Sequence, residues 1–382
     1  MRILSIIGTR PEALKMAPIL QRLKSISNIE SIVCISGQHR ELLQGTLALF
    51  DIEADIDLAL LKRNQAPDKL LARLLTKLGP LLQQVNPDWI LAVGDTTSVL
   101  GASLASAHHQ VSFGHIEAGL RTATKTDPFP EEFNRRVTSV LADLHFAPTA
   151  QARSNLLQEN IPASSIIVTG NPIIDTLKCF SNRPDPTNLN PLWRQLQLDP
   201  HTEGKAPHLL LVTFHRRENI GRPIKEICAA LRDLALINKG ALKVLCIIHP
   251  NPAVHAPARR DLTNAPNIVL SHPLDYPSMI AVLKRSHLIL TDSGGLQEEA
   301  PWLKVPTLIL RNSTERPEGL KAGVTRLIGT TRSRIVTEVQ NIIKNPDLYR
   351  KMSKGFRGYG DGRAAEHIVN ALQNHNNLNQ NK

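Results

Sequence analysis

Short, predominantly apolar runs, interleaved with helical patterns, recur along this chain in two sets. The first set is 2–8 (RILSIIG), 31–36 (SIVCIS), 89–94 (WILAVG), 111–116 (VSFGHI), 145–148 (HFAP) and 166–170 (IIVTG), with helical patterns at 13–25, 70–85 and 101–107. A strand that is apolar on both faces must be covered on both faces. Helices that alternate with such strands do this, which predicts a parallel α/β sheet. The stretch 180–207 then changes character: Pro184, Pro186, Pro191, Pro200 and Pro207 stand among polar residues, which predicts a linker with one short helical piece near Trp193. Beyond it the alternation restarts at 209–214, 242–249, 267–270, 287–292 and 306–311. The end, about 333–374, has helical pattern, and the polar tail after it reads as frayed. A length of 382 residues suits two domains, each able to bury its own core. Two doubly wound sheets imply a cleft between them. Ligands of such sheets bind beyond the carboxyl ends of the strands, so residues that follow a strand are the first candidates.

Composition removes several classes of function. Lys and Arg total 45 against 34 acids, a formal charge of +11, but the basic residues are scattered and aromatics are only 4%. A base-stacking platform is hard to build from so few rings, so no nucleic-acid partner is expected, and a small polyanion suits the charge equally well. No apolar stretch approaches the roughly 18 residues of a membrane span. The run before Gly8 is short for a signal sequence, so a cytoplasmic protein without a membrane partner is expected. The four cysteines, Cys34, Cys179, Cys228 and Cys246, are far apart. They fit reduced thiols rather than a zinc site or a disulfide scaffold. There is no HExxH, Asp-rich loop, Walker A, GxGxxG or GxSxG, and hence no expected metal or nucleotide cofactor and no α/β-hydrolase elbow.

Several strand ends carry polar clusters. The first strand runs into Gly8-Thr9-Arg10-Pro11-Glu12, with Lys15 one turn on. A Gly turn that opens a helix can hold an anion on its N–H groups, and Arg10 and Lys15 would add charge for a pyrophosphate. The alternative is a tight turn with solvated charges. Strand 89–94 ends in Gly94-Asp95-Thr96-Thr97, where Asp95 either caps the next helix or serves as an acid–base carboxylate. Strand 111–116 leads to Glu117 and Arg121, either an ion pair or a tuned carboxylate beside it. In Pro128-Phe129-Pro130-Glu131-Glu132, the first turn of a helix accounts for one of the two acids. In the second half, His215-Arg216-Arg217-Glu218-Asn219 follows 209–214 and His249-Pro250-Asn251-Pro252 follows 242–249. His215 stands where it could donate or accept a proton. After 287–292 comes Ser293-Gly294-Gly295-Leu296-Gln297-Glu298-Glu299. There backbone N–H groups and the Ser293 hydroxyl can cradle a phosphate, and Glu299 can accept from ribose hydroxyls.

Together these segments resemble the non-hydrolysing UDP-N-acetylglucosamine 2-epimerases. The motifs are GTRPEALKMAP (8–18), GQHRELL (37–43), GDTTS (94–98), GHIEAGLRT (114–122), PFPEEFNR (128–135), TGNPIIDTL (169–177), HRREN (215–219), HPNP (249–252), TDSGGLQEEAP (291–301), TERPE (314–318) and YGDGRAAEHI (359–368). The resemblance implies two Rossmann-like domains facing a cleft, of the glycosyltransferase-B type. The expected division is 1–178 joined by a C-terminal helix at about 364–378, a linker at 179–207, and a UDP-binding domain at 208–363. It further implies reversible inversion at C2 between UDP-GlcNAc and UDP-ManNAc, through elimination of UDP to a 2-acetamidoglucal and its re-addition, with no metal or nicotinamide cofactor. Carried over by motif, Asp95, Glu117, Glu131 and His215 are the catalytic set. Arg10, Lys15, Ser293, Gly294, Gly295 and Glu299 are the UDP-holding set. Gln38, His39 and Arg73 match a second, activating UDP-GlcNAc site. A homodimer is expected. The chain departs from the family pattern at Asn64-Gln65-Ala66-Pro67, Phe214 and Pro172. Other readings are an epimerase of a modified UDP-sugar such as a diacetamido uronic acid, a glycosyltransferase of the same fold, and a non-catalytic nucleotide-sugar sensor.

Overall fold

The computed structural model describes residues 1–37, 40–60, 65–198 and 206–380. The chain divides into two compact units, 1–178 with 358–382, and 179–357.

In the first unit the strands are β1 (Arg2–Ile7), β2 (Glu30–Ile35), β3 (Ile56–Asp57), β4 (Trp89–Val93), β5 (Ser112–Ile116), β6 (Leu144–Ala147) and β7 (Ile166–Val168). They form one parallel sheet in the order β3-β2-β1-β4-β5-β6-β7. Between them run α1 (Arg10–Lys24), α2 (Arg40–Ala48), α3 (Pro67–Val85), α4 (Thr97–His109), α5 (Glu131–Leu141), α6 (Ala150–Gln158) and α7 (Pro172–Ser181). Pro11 and Pro67 sit in the first turns of α1 and α3, where a missing N–H is harmless. On α3, Leu70, Leu74, Leu78 and Leu82 recur every fourth residue and are buried. Gly101 of α4 lets α3 approach, since a Cβ there would stand 3.0 Å from the Leu74 side chain.

The second unit contains α8 (Asn190–Leu196), β8 (His208–Phe214), α9 (Arg222–Ile237), β9 (Leu242–Ile248), α10 (Pro252–Leu262), β10 (Ile268–Ser271), α11 (Tyr276–Arg285), β11 (Leu288–Thr291), α12 (Leu296–Trp302), β12 (Thr307–Ile309), α13 (Pro317–Lys321), β13 (Thr325–Leu327), α14 (Arg332–Lys344) and α15 (Pro346–Met352). Its sheet is also parallel, in the order β10-β9-β8-β11-β12-β13. Every residue of β9 is buried, including Lys243, whose ammonium donates to Asn267 Oδ1 at 2.9 Å. The apolar runs locate their strands to within two residues at either end. The very short β3 and β13 were not anticipated.

The stretch 179–207, expected to be a linker, groups with the second unit. Trp193 and Leu196 of α8 are buried, and Arg285 of α11 ties the stretch down. Its guanidinium lies 4.5 Å from the centre of the Trp193 ring, donates to the Leu198 carbonyl at 2.8 Å and pairs with Asp185 at 2.9 Å. The second unit ends at 357 rather than 363. Residues 358–363 and α16 (Ala364–Gln380) belong to the first unit, where Ile368, Val369 and Leu372 join the core around α1. Asp175 of α7 accepts from the N–H of Ala364 and Ala365, at 3.1 and 2.9 Å, and so caps α16.

The TGNP and YGDG motifs meet backbone to backbone. The Asn171 N–H donates to the Tyr359 carbonyl at 2.7 Å, and a Cβ on Gly170 would lie 3.1 Å from Gly360 Cα, with Gly170 at φ +84°. Gly170→Ala is therefore expected to lose about 1–2 kcal/mol from the left-handed backbone alone, and more from the clash. Gly45→Ala, in an open part of α2, is expected to gain about 0.5–1 kcal/mol. Urea unfolding of the two variants checks the opposite signs.

Candidate functional site

In both sheets the strand order reverses beside the first strand of the set, between β1 and β4 and between β8 and β11. Loops leaving the carboxyl ends of such strands diverge and open a crevice. In the first unit these loops carry Gly8 to Glu12 after β1 and Asp95 after β4, with Glu117 next after β5. In the second they carry His215 after β8 and Asp292 after β11, with His249 next after β9.

The carboxylates of the first unit do not pair as their spacing suggests. Asp95 does not cap α4, whose N-cap is Thr96 without a side-chain bond. Instead Asp95 is in close contact with the guanidinium of Arg135, and Asn134 donates to its carbonyl at 2.8 Å. Glu117 pairs closely with the ammonium of Lys15 and not with Arg121. Arg121 forms a two-point pair with Glu159, at 2.9 and 2.7 Å. Lys15, expected to hold a pyrophosphate, thus serves a buried carboxylate. Glu117 has φ +66°, a conformation uncommon in a residue with a side chain and more frequent where geometry is imposed for function.

Of the two acids that open α5, Glu132 is the one absorbed by structure. It is fully buried and accepts from Arg135 at 2.9 Å, from Arg136 at 2.9 Å and from the Thr122 N–H at 3.2 Å. Glu131 keeps one buried oxygen, Oε2, without a hydrogen-bond partner among the described residues. Arg10 opens α1 and is half-buried. Two buried groups beneath these loops escaped the sequence reading. Glu12 accepts from the Gly8 N–H at 2.6 Å and the Thr9 hydroxyl at 3.1 Å, and burial pushes its carboxyl up to about 7. His115 donates through Nε2 to the Gly94 carbonyl at 2.8 Å, and burial pushes its imidazole down to about 3. Both fix the backbone from which candidate residues project.

In the second unit Asp292, also unanticipated, is the hub. It has no exposed surface and accepts from the N–H of His215 at 2.9 Å, the N–H of Arg216 at 2.9 Å and Asn219 Nδ2 at 2.8 Å. His215 Nδ1 lies 3.2 Å from its Oδ1. Burial pushes the Asp292 carboxyl up, but these bonds, that of the His215 side chain foremost, bring it below the usual range. The Ser293 N–H donates to Thr291 Oγ1 at 3.0 Å. At Gly294 a Cβ would stand 2.7 Å from Arg316 Nη1, so a side chain there would have to displace a guanidinium paired with Glu298 and Glu315. Gly295 caps α12, on which Glu298 pairs with Arg316. Glu299 is buried and accepts from the Tyr276 hydroxyl at 2.7 Å. The TERPE motif supplies Glu315 and Arg316 to this buried network, in which Arg311 pairs with Glu315 at 2.9 Å.

Gln38 and His39 lie outside the described residues. Arg73 projects from α3 and donates to Gln65 Oε1 at 3.2 Å. Among the described residues no group of three His, Cys, Asp or Glu side chains is placed to hold a metal ion, and no helix is long and apolar enough to cross a membrane. Cys34, Cys228 and Cys246 are buried free thiols, and Cys179 is exposed. A concavity of about 1020 Å³ against α1, β2 and α2, lined by Leu20, Lys24, Phe50, Asp51 and Glu53 among others, contains none of the candidate residues.

Burial of neutral imidazoles makes stability depend on pH. Both His115 and His287, the latter pushed down to about 4 by burial and by His208, titrate below the ordinary 6.5. As pH falls below 6.5 the unfolded chain takes up protons that the folded chain refuses. The contribution of these two imidazoles is thus complete above 6.5 and declines toward pH 4, and Glu12, whose carboxyl is raised to about 7, offsets part of that decline because the folded chain takes up its proton before the unfolded chain does. The urea midpoint is expected to fall over that window, and to fall less steeply in His115→Gln.

The model of the UDP-N-acetylglucosamine 2-epimerase family matches residues 21–373. The UDP-N-acetylglucosamine 2-epimerase of Escherichia coli K12 is 42% identical over 374 residues, covering 98% of this chain and 99% of its own. A crystal structure of the Neisseria meningitidis UDP-GlcNAc 2-epimerase bound to UDP-GlcNAc superposes with a TM-score of 0.92 at 40% identity, covering 98% of this chain and 100% of that one. An S. aureus MnaA–UDP co-structure gives a TM-score of 0.90 at 40% identity, covering 99% and 97%. Two parallel α/β units of the glycosyltransferase-B type, with matches along nearly the full length of the relatives, leave one assignment: the chain belongs to the UDP-N-acetylglucosamine 2-epimerase family.

Proposed function

We propose that the protein interconverts UDP-GlcNAc and UDP-ManNAc by eliminating UDP and adding it back. The observation that carries this reading is the placement of Asp95 and Glu117 after adjacent strands, paired with Arg135 and Lys15 respectively, in a chain of this family. The relatives solved with UDP-GlcNAc and with UDP support the choice of substrate.

The chemistry explains the need for several carboxylates. The C2 proton is not activated, so cleavage of the C1–O bond must lead. UDP departs with the bonding electron pair and leaves positive charge at C1. A carboxylate then takes the C2 proton, and C1 and C2 become doubly bonded in a 2-acetamidoglucal. Return of a proton to the opposite face of C2, with attack of UDP on C1, gives the epimer. Asp95, Glu117 and Glu131 are the acid–base and charge-stabilising groups, and the unpartnered oxygen of Glu131 suits such a role. His215 donates to the departing diphosphate. Arg10, Ser293, Gly294 and Gly295 hold its phosphates, with Lys15 serving Glu117 first, and Glu299 accepts from the ribose.

Incubation with UDP-GlcNAc in deuterated water should give UDP-ManNAc with deuterium at C2. Binding without turnover would point to a sensor, and sugar transfer to an added acceptor to a glycosyltransferase; either outcome overturns the proposal. Asp95→Asn, Glu117→Gln, Glu131→Gln and His215→Asn are each expected to lower turnover by about 10²–10⁴-fold. If a variant melts earlier yet turns over normally once folded, that residue leaves the catalytic set.

We also infer a homodimer. Phe133 and Val140 lie two turns apart on α5 and are 44% and 78% exposed, a face that a second copy would cover. Sedimentation should give twice the chain mass, and Val140→Glu should give the monomer; a monomeric wild type would count against the inference.

A further inference from the structure

His215 and Asp292 stand on either side of the point where the second sheet reverses its strand order. Strands β8 and β11 are neighbours, with Thr213 opposite Thr291, and their hydroxyls bond across the pair at 2.7 Å. Asp292 follows Thr291 directly and His215 stands two residues beyond Thr213, so both leave the sheet at this point. Asp292 is held from several directions: the N–H groups of residues 215 and 216 and the Asn219 amide all donate to it, and Asn219 also donates to the Leu310 carbonyl at 3.2 Å. Its carboxylate has no freedom to turn away. With its Oδ1 3.2 Å from His215 Nδ1, it can only accept there, so the proton of that contact sits on Nδ1. Nε2 is then left as the nitrogen available to a ligand. His249, on the neighbouring strand end, lies near-parallel to the His215 ring, with centres 5.5 Å apart, and its own Nδ1 accepts from the Asn251 N–H at 3.1 Å.

We propose that Asp292 is the positioning residue of His215, fixing its Nδ1–H tautomer and ring direction so that Nε2 carries the proton given to, and recovered from, the departing diphosphate. In elimination the proton on Nε2 passes to a phosphate oxygen as the C1–O bond breaks, and the imidazole is left neutral with its proton on Nδ1. On re-addition the same proton returns to Nε2 as the phosphate oxygen attacks C1. Asp292 remains ionised throughout, and its negative charge lies against the imidazolium when Nε2 is protonated. The conjunction of HRREN and TDSGG follows from this arrangement, because one carboxylate organises the first motif from within the second.

This inference rests on the proposed reaction for the role of His215, but the hold itself can be tested without activity. In protein labelled with ¹⁵N at histidine, the neutral His215 ring should show a protonated Nδ1 and a bare Nε2; the reverse assignment overturns the proposal. Asp292→Asn should abolish the fixed tautomer and lower kcat by about 10²-fold, with less than about a threefold change in KM. In a His215→Gln background the same substitution should cost no further turnover, whereas additive losses would show that Asp292 acts elsewhere. Should Asp292→Asn fail to fold, the wild-type nitrogen spectrum still decides. Normal turnover by His215→Gln would refute the catalytic part alone, and the spectrum would judge the hold separately.

Discussion

A strand covered by helices on both faces has no place along its length for an unpaired charge. Both sheets obey this constraint, and the placement of chemistry follows from it. Polar side chains are displaced to the strand ends, and where the strand order reverses the loops part. Gly8, Glu12 and Asp95 flank that point in the first sheet, and His215 and Asp292 flank it in the second. Lys243, His115, His145 and Arg326 are exceptions inside strands: the first is tied to Asn267, burial pushes both imidazoles down, and Arg326 pairs with Glu338.

Burial then decides which acids remain available. Removing the partner of a buried ion costs several kcal/mol, and several deeply buried carboxylates here have a cation or a set of N–H donors, whereas Glu12, with one N–H and a hydroxyl, is raised to about 7. Glu132 has three donor residues, Glu298 has Arg316, and Asp292 has backbone and amide hydrogens. Such groups shape the loops. Asp95 pairs with Arg135 and Glu117 with Lys15, and Glu131 retains an oxygen without a partner among the described residues. A left-handed backbone at Glu117, of order 1–3 kcal/mol of strain, is maintained in a segment whose side chain is locked to Lys15.

Much of the fold was legible because apolar runs and turn residues are local signals. Strands such as β9 stand out because every side chain in them is buried. β3 and β13 were invisible because two or three residues carry no periodicity. Partnerships among charges were the harder part. Asp95 was legible as a candidate but not its tie to Arg135, and Glu117 was set beside Arg121 when its partner is Lys15, far back in the chain. Such pairings are created by tertiary packing, and spacing along the sequence contains no trace of them. Glu12, His115 and Asp292 were passed over for a related reason. A polar residue at a strand or helix end looks ordinary until its depth is known. The Pro-rich stretch misled because prolines signal irregular backbone, not exposure; Trp193 and Arg285 show that irregular backbone can be packed.

The return of residues 358–380 to the first unit has a consequence for synthesis. Ile368, Val369 and Leu372 fill the core against α1, Asp175 waits to cap α16, and Gly170 packs against Tyr359, Gly360 and Ala364. All of residues 179–357 must leave the ribosome before those partners exist. The unit that begins first is thus the unit that finishes last. Until the final segment emerges, the part of the apolar surface of α1 that α16 covers stands open to solvent on the nascent chain.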